Sequence, residues 1–113
     1  QTAAGLDALS GGRFTLGLGA SGPQVIEGFH GVPYDRPLTR MKEIIQICRS
    51  AWRRERLEHE GRVFTLPLPA DQGTGLGKPL KIINHLKRSN IPIYIAALGQ
   101  KSVEETAATC EGW

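Results

Sequence analysis

Arg13-Phe14-Thr15-Leu16-Gly17-Leu18-Gly19-Ala20-Ser21-Gly22 is the stretch on which the fold turns. Phe14, Leu16 and Leu18 alternate with Thr15, Gly17 and Gly19. That is the period of two of a β-strand, with large side chains on one face and almost none on the other. The bare face leaves room for another body. Upstream, Thr2 to Leu9 reads as the last turns of a helix, ended by Ser10-Gly11-Gly12, where glycine takes the left-handed conformation that closes helices.

Downstream, residues 20–36 are punctuated by Gly22-Pro23, Gly28, Gly31 and Pro33 and are expected to form a loop. Pro37 fits the first turn of a helix, where its missing N–H is no loss. From Leu38 to Arg56, Met41, Ile44, Ile45, Cys48, Ala51 and Trp52 recur at three- and four-residue spacing, with Arg40, Lys42, Glu43, Gln46, Arg49 and Arg53 on the other sides. This predicts an amphipathic helix covering a core, with Arg53, Arg54 and Arg56 at its negative end. Leu57 to Leu66 suits a short hairpin around Gly61, residues 67–79 an exposed loop, and Leu80 to Asn84 a small strand. Ile91 to Leu98 is apolar throughout and predicts a strand buried on both faces, as in a parallel sheet. A helix should follow, capped by Ser102 with Glu105 three residues on, and with Val103, Ala107 and Cys110 on one face. The order is a repeated βα pattern, and Gly112-Trp113 stands where the next strand would begin.

Composition narrows the classes. At 113 residues, with 40% hydrophobic and 22% charged residues, the chain is one globular unit or a piece of one and not a disordered segment. No apolar run approaches the ~20 residues that cross a bilayer, so no membrane partner is expected. A net charge of +3 and 6% aromatic content give no case for nucleic acid. Cys48 and Cys110 both fall in expected helices, which fits free thiols and a cytoplasmic protein. Gln1 stands where an initiating Met would, so the chain is expected to be an internal fragment.

Several motifs invite a chemical reading. Gly17-Leu18-Gly19-Ala20-Ser21-Gly22 matches the dinucleotide fingerprint G-x-G-x-x-G, yet no helix is expected to open within it, and the acidic position ~20 residues on falls in the amphipathic helix. A tight turn, or close backbone approach to a ligand, fits better. Gly73-Thr74-Gly75-Leu76-Gly77-Lys78 resembles a phosphate loop, but Gln72 replaces its first glycine and Pro79 its magnesium-binding hydroxyl. His30, His59 and His85 lack zinc spacing, so no metal is assigned. Gly99-Gln100-Lys101-Ser102 joins the end of the second strand to a helix N-terminus, where free N–H groups and Lys101 make either an anion site or a plain capping turn. In parallel α/β proteins ligands sit at the C-terminal strand ends, so the two small-residue loops would share a rim.

Leu9 to Gly28, followed by Gly31-Val32-Pro33-Tyr34 and Arg36-Pro37-Leu38, resembles the luciferase-like monooxygenase superfamily, specifically its coenzyme F420-dependent oxidoreductases of actinobacterial type. Residues 73–79, Ile91 to Gly99 and Glu111-Gly112-Trp113 continue the resemblance over essentially the whole chain. It implies an α/β fold that is part of a (β/α)8 TIM barrel. A full barrel needs ~250 residues, so residues 1–113 would supply two core parallel strands with their helices and an insertion over 57–90.

The resemblance further implies an oxidoreductase that passes a hydride between coenzyme F420 and a small organic substrate. An FMN-dependent monooxygenase is the alternative, and a non-catalytic assembly remnant a third reading. Gly19, Ala20, Ser21 and Gly22 would lie beside the cofactor, and Ala96, Ala97, Leu98, Gly99, Gln100 and Lys101 would cradle its phosphate. Gln100 departs from an expected Pro and Glu111 from an expected Asp, while residues 85–90 replace a Pro-rich turn. Pro23 and Gln24 occupy the neighbourhood of the acidic catalytic residue of the sugar-phosphate dehydrogenase branch, so no catalytic residue is assigned here. A homo-oligomer of the full-length protein is left open.

Overall fold

The structure, a computed structural model, describes all 113 residues. Helix α1 (Thr2–Leu9) ends at Ser10, and Gly11 and Gly12 take φ of 68° and 83° as the closing turn requires. Strand β1 (Leu16–Gly19) lies parallel to β4 (Ile93–Ala96), in the register Leu16↔Ile93, Gly17↔Tyr94, Leu18↔Ile95 and Gly19↔Ala96. A parallel bridge from Tyr94 to Gly112 begins a third line of chain on the far edge of β4.

Residues paired across a parallel register point to the same side, so Leu16, Leu18, Ile93 and Ile95 form one face. Helices cover that face: α1 through Ala4, α3 (Pro37–Trp52) through Ile45 and Trp52, and α4 (Gln100–Thr109) through Val103, with Cys110 just beyond its end. The other face, built of Gly17, Gly19, Tyr94 and Ala96, is exposed. β4 is therefore buried on one side only, and the expectation of two buried faces is corrected. The accessible surface of this 12.3 kDa chain is 7857 Å², against about 6,100 Å² for a folded monomer of that mass, so whole faces stay uncovered. No helix is long and apolar enough to cross a membrane.

Other elements differ from the sequence reading. Residues 23–30 are helix α2 (Pro23–His30) and not loop. The Gly-Pro punctuation marks its two ends, with Pro23 at the first turn and Gly31 at φ 62° closing it. α3 stops at Trp52, because Arg54 turns to φ 55° and Arg53 binds Glu55, leaving only Arg49 in the last turn. The hairpin forms as β2 (His59–Glu60) and β3 (Thr65–Leu66). Residues 80–84 form no strand; Leu80 accepts one backbone bond, from Leu57. Ser102 caps nothing, since α4 starts two residues earlier with Gly99 before it, and the buried residue of that helix is Thr106 while Ala107 is exposed.

Polar anchors hold the sealed side. The Asp7 carboxylate is fully buried and accepts N–H bonds from Phe14 and from the Arg88 guanidinium at 2.7 Å. Arg88 also donates to the Phe14 carbonyl, pinning the 85–90 segment to α1. Glu43, expected on the solvated side of α3, is instead buried against the hairpin. It accepts N–H bonds from Arg62 at 2.7 Å and Phe64 at 2.8 Å, with His59 Nε2 at 3.3 Å. Glu111 accepts the Ile93 N–H at 2.8 Å and pairs with Arg49.

Candidate functional site

The C-terminal ends of β1 and β4 open onto one cleft of about 1060 Å³. Gly19, Ala20 and Ser21 form one wall, and Ala96, Ala97, Leu98, Gly99, Gln100 and Lys101 the other. Nine of the ten residues expected at the site thus line one space. Gly22 does not; it sits before α2 as the residue from which that helix starts.

The register explains the walls. Gly19 faces Ala96, and a Cβ on Gly19 would stand 3.4 Å from the Ala96 Cβ, in van der Waals contact, so the strands end side by side on small residues with little room between them. A Cβ on Gly17 or Gly99 would meet nothing within 4 Å and would project into open space. Ser21 holds φ 60°, a strained value for a residue with a side chain. Tyr34 braces that loop: its hydroxyl donates to the Ser21 carbonyl at 3.1 Å, and its own N–H donates to Glu27 Oε1 at 3.1 Å.

Across the cleft, α4 presents its first turn without a side-chain cap. The N–H groups of Gln100, Lys101 and Ser102 have no acceptor within the protein, while Val103 N–H bonds the Gly99 carbonyl. Free N–H groups at the positive end of a helix dipole favour an anion. Nearby acidic side chains do not fill the place. Glu104 accepts the Gln100 amide at 2.9 Å, and Glu105 pairs with Lys42 at 3.9 Å on the neighbouring helix. Lys101 is exposed and forms no ion pair, which leaves its charge for a ligand. Trp113 closes the inner end by donating its indole N–H to the Ala97 carbonyl.

A second cavity of about 320 Å³ lies behind the glycine loop, lined by Ile26, Val32, Pro33, Met41 and Ile44 and bordered by His30, Asp35 and Arg40. Gly19, Ala20, Tyr34 and Pro37 belong to both spaces. Reading residues 20–36 as loop hid it. The signal in the sequence is the pair of helix ends, Pro23 at a first turn and Gly31 at a close, eight residues apart.

Elsewhere the chemistry-bearing groups are spent on structure. Arg88, hydrogen-bonded to the carboxylate, holds Asp7 below the usual range against the opposing effect of burial. Burial pushes Glu43 up, but the N–H groups of Phe64, Val63 and Arg62 and the His59 side chain outweigh it, so this carboxyl too is lowered. Cys48 and Cys110 are free thiols, and burial pushes Cys48 up, away from thiolate reactivity. Gly17 to Gly22 does lead straight into a helix, contrary to the sequence reading, while residues some twenty positions on lie in α3 as expected. No helix follows Gly73 to Lys78, which is exposed throughout.

The sequence model of the family described as luciferase-like monooxygenase matches residues 1–113. A protein of Mycobacterium tuberculosis named as a coenzyme F420-dependent oxidoreductase is 50% identical over 109 residues, 96% of this chain and 31% of that protein. A 5,10-methylenetetrahydromethanopterin reductase of Archaeoglobus fulgidus is 31% identical over 107 residues, 95% of this chain and 28% of its own length. The chain therefore spans 31% and 28% of the length of these curated relatives.

Proposed function

The chain belongs to the luciferase-like monooxygenase family, and from that premise we propose that it forms the cofactor-facing rim of a coenzyme F420-dependent oxidoreductase acting on a small organic substrate. β1 and β4 are then neighbouring strands of a (β/α)8 barrel, whose sites lie at the C-terminal strand ends. The bare face of Gly17, Gly19, Tyr94 and Ala96 is the barrel interior, and residues 57–90 are the insertion.

The observation that carries the reading is the convergence of both strand-end loops on one cleft walled by small residues. The residues present fit the group: a side chain at Gly99 would project into the open cleft, and the first turn of α4 offers N–H groups that nothing in the protein accepts. A bound deazaflavin supplies the hydride acceptor or donor, and the protein supplies binding and orientation. Gly19, Ala20 and Ser21 give a flat wall for a ring. The N–H groups of Gln100, Lys101 and Ser102, with the Lys101 ammonium, hold a phosphate. Gln100 in the place expected for proline keeps a donor that proline lacks, and its side chain is drawn aside by Glu104. Tyr34 and Trp113 border the cleft and restrict water.

Titration with coenzyme F420 and, separately, with FMN, followed by cofactor fluorescence, tests this. Binding of F420 at least about tenfold tighter than FMN is expected, a gap of roughly 1.4 kcal/mol. The reverse preference selects the FMN monooxygenase, and binding of neither overturns the cofactor reading.

A further inference from the structure

We propose that the recess behind the glycine loop binds the body of the substrate, and that this substrate is an apolar organic acid whose anionic group meets Arg40. The word substrate rests on the oxidoreductase reading above; the recess and its ligand class rest on geometry of their own.

Ile26, Val32, Pro33, Met41 and Ile44 wall a space of about 320 Å³ between α2 and α3. Apolar walls ordinarily close on one another to shed water. Here they are held apart. No residue of α2 is buried, and Tyr34 fixes the 31–36 loop to Glu27 of α2 and to the Ser21 carbonyl. Pro33 and Pro37 fix the backbone on either side. The volume falls in the range of small-molecule sites.

The charge at its edge selects the ligand. Arg40 lies in the first turns of α3, near the positive end of the helix dipole, where a cation is disfavoured and no acidic residue stands in the first turn. Its guanidinium carbon rests 5.3 Å above the Phe64 ring, and its side chain makes no hydrogen bond or ion pair within the protein. The cation–π contact holds the guanidinium and leaves its N–H groups without an acceptor in the protein, and such a fork suits a carboxylate. Of the other polar groups at the border, Asp35 lies 3.7 Å from Arg36 and is largely exposed, and His30 ends α2. Because Gly19, Ala20, Tyr34 and Pro37 wall both spaces, a molecule in the recess lies directly beside whatever occupies the cleft.

Calorimetric titration of the full-length protein with octanoate and with octan-1-ol, with and without F420, tests the assignment. Octanoate should bind, and Arg40→Gln should weaken it about tenfold or more while leaving octanol unchanged. Ile44→Trp, which fills the recess, should abolish both. Met41→Phe serves the same end if that variant fails to fold, as judged by its melt. Absence of octanoate binding, or binding unmoved by Arg40→Gln and by the filling variants, overturns the proposal. Loss of the F420 reading with octanoate binding intact sinks the cofactor assignment alone, and F420 binding without octanoate binding sinks the recess alone.

Discussion

Alternate residues of one short strand live in two different environments. Ile93 and Ile95 are 0% and 4% exposed under three helices, whereas Tyr94 between them is 48% exposed and Leu98 just beyond is 96% exposed. Both sets are large and apolar, so hydrophobicity alone does not separate them. On the sealed side helices pack over the strands and carboxylates anchor the backbone, Asp7 taking the Phe14 N–H and Glu111 the Ile93 N–H. On the open side and along the rim, the backbone ends in small residues and unpaired donors. The sealed face carries stability and the open rim, under the proposed function, carries recognition, so a substitution on one side should leave the other intact.

The contrast breaks most visibly at Ile93. Ile93→Ala should cost about 2–5 kcal/mol in chemical denaturation, the usual loss for emptying a buried aliphatic site. Leu98→Ala should stay within about 0.5 kcal/mol, the range of ordinary surface changes. Equal costs would erase the distinction between the faces.

Acid should act next, and chiefly through the carboxylates that anchor the sealed side. Asp7, held down first by the Arg88 hydrogen bond, and Glu43 and Glu111, in which N–H donors outweigh burial, all have folded pKa values below their ordinary ones. A depressed folded value means that the unfolded chain binds the proton more readily. The stabilisation is therefore fully present above the unfolded values near ~4 and is lost as pH falls through the folded ones. The melting temperature should be flat from about pH 7 to 5 and fall below about pH 4. A constant melting temperature down through that range would remove these carboxylates from the account.

Gly99→Val sharpens the comparison from the rim. Its φ of −70° suits any residue, and the added Cβ meets nothing within 4 Å, so the denaturation midpoint should hardly move. F420 affinity should drop about tenfold, or roughly 1.4 kcal/mol, as the side chain enters the cleft. A large loss of stability with unchanged affinity would reverse the roles assigned to the two faces.

Much of this was legible along the chain because it is encoded locally. The alternation in Phe14 to Gly19, the three- and four-residue spacing from Met41 to Trp52 and the apolar run from Ile91 gave the βα order and the two rim loops. Helix α2 escaped because glycine and proline serve equally as loop residues and as helix ends, and eight residues offer too few turns for periodicity to decide. Glu43 was misplaced because its helical position shows only that it shares no face with Ile45; the hairpin that buries it arrives some twenty residues later. The Ser102 and Glu105 pair has the spacing of a capping box, but Glu105 turns to Lys42 on another helix.

By itself, then, the sequence determined the two core strands, the helices that became α1, α3 and α4, and that both strand ends are small, since these follow from side-chain periodicity and backbone freedom within a few residues. Only the tertiary structure decided that β1 and β4 lie side by side, that one face of β4 stays bare, that Arg88 reaches Asp7 across 81 positions, and that Arg40, over the Phe64 ring, borders a recess. Burial and pairing are properties of partners, and partners distant along the chain leave no local pattern to read.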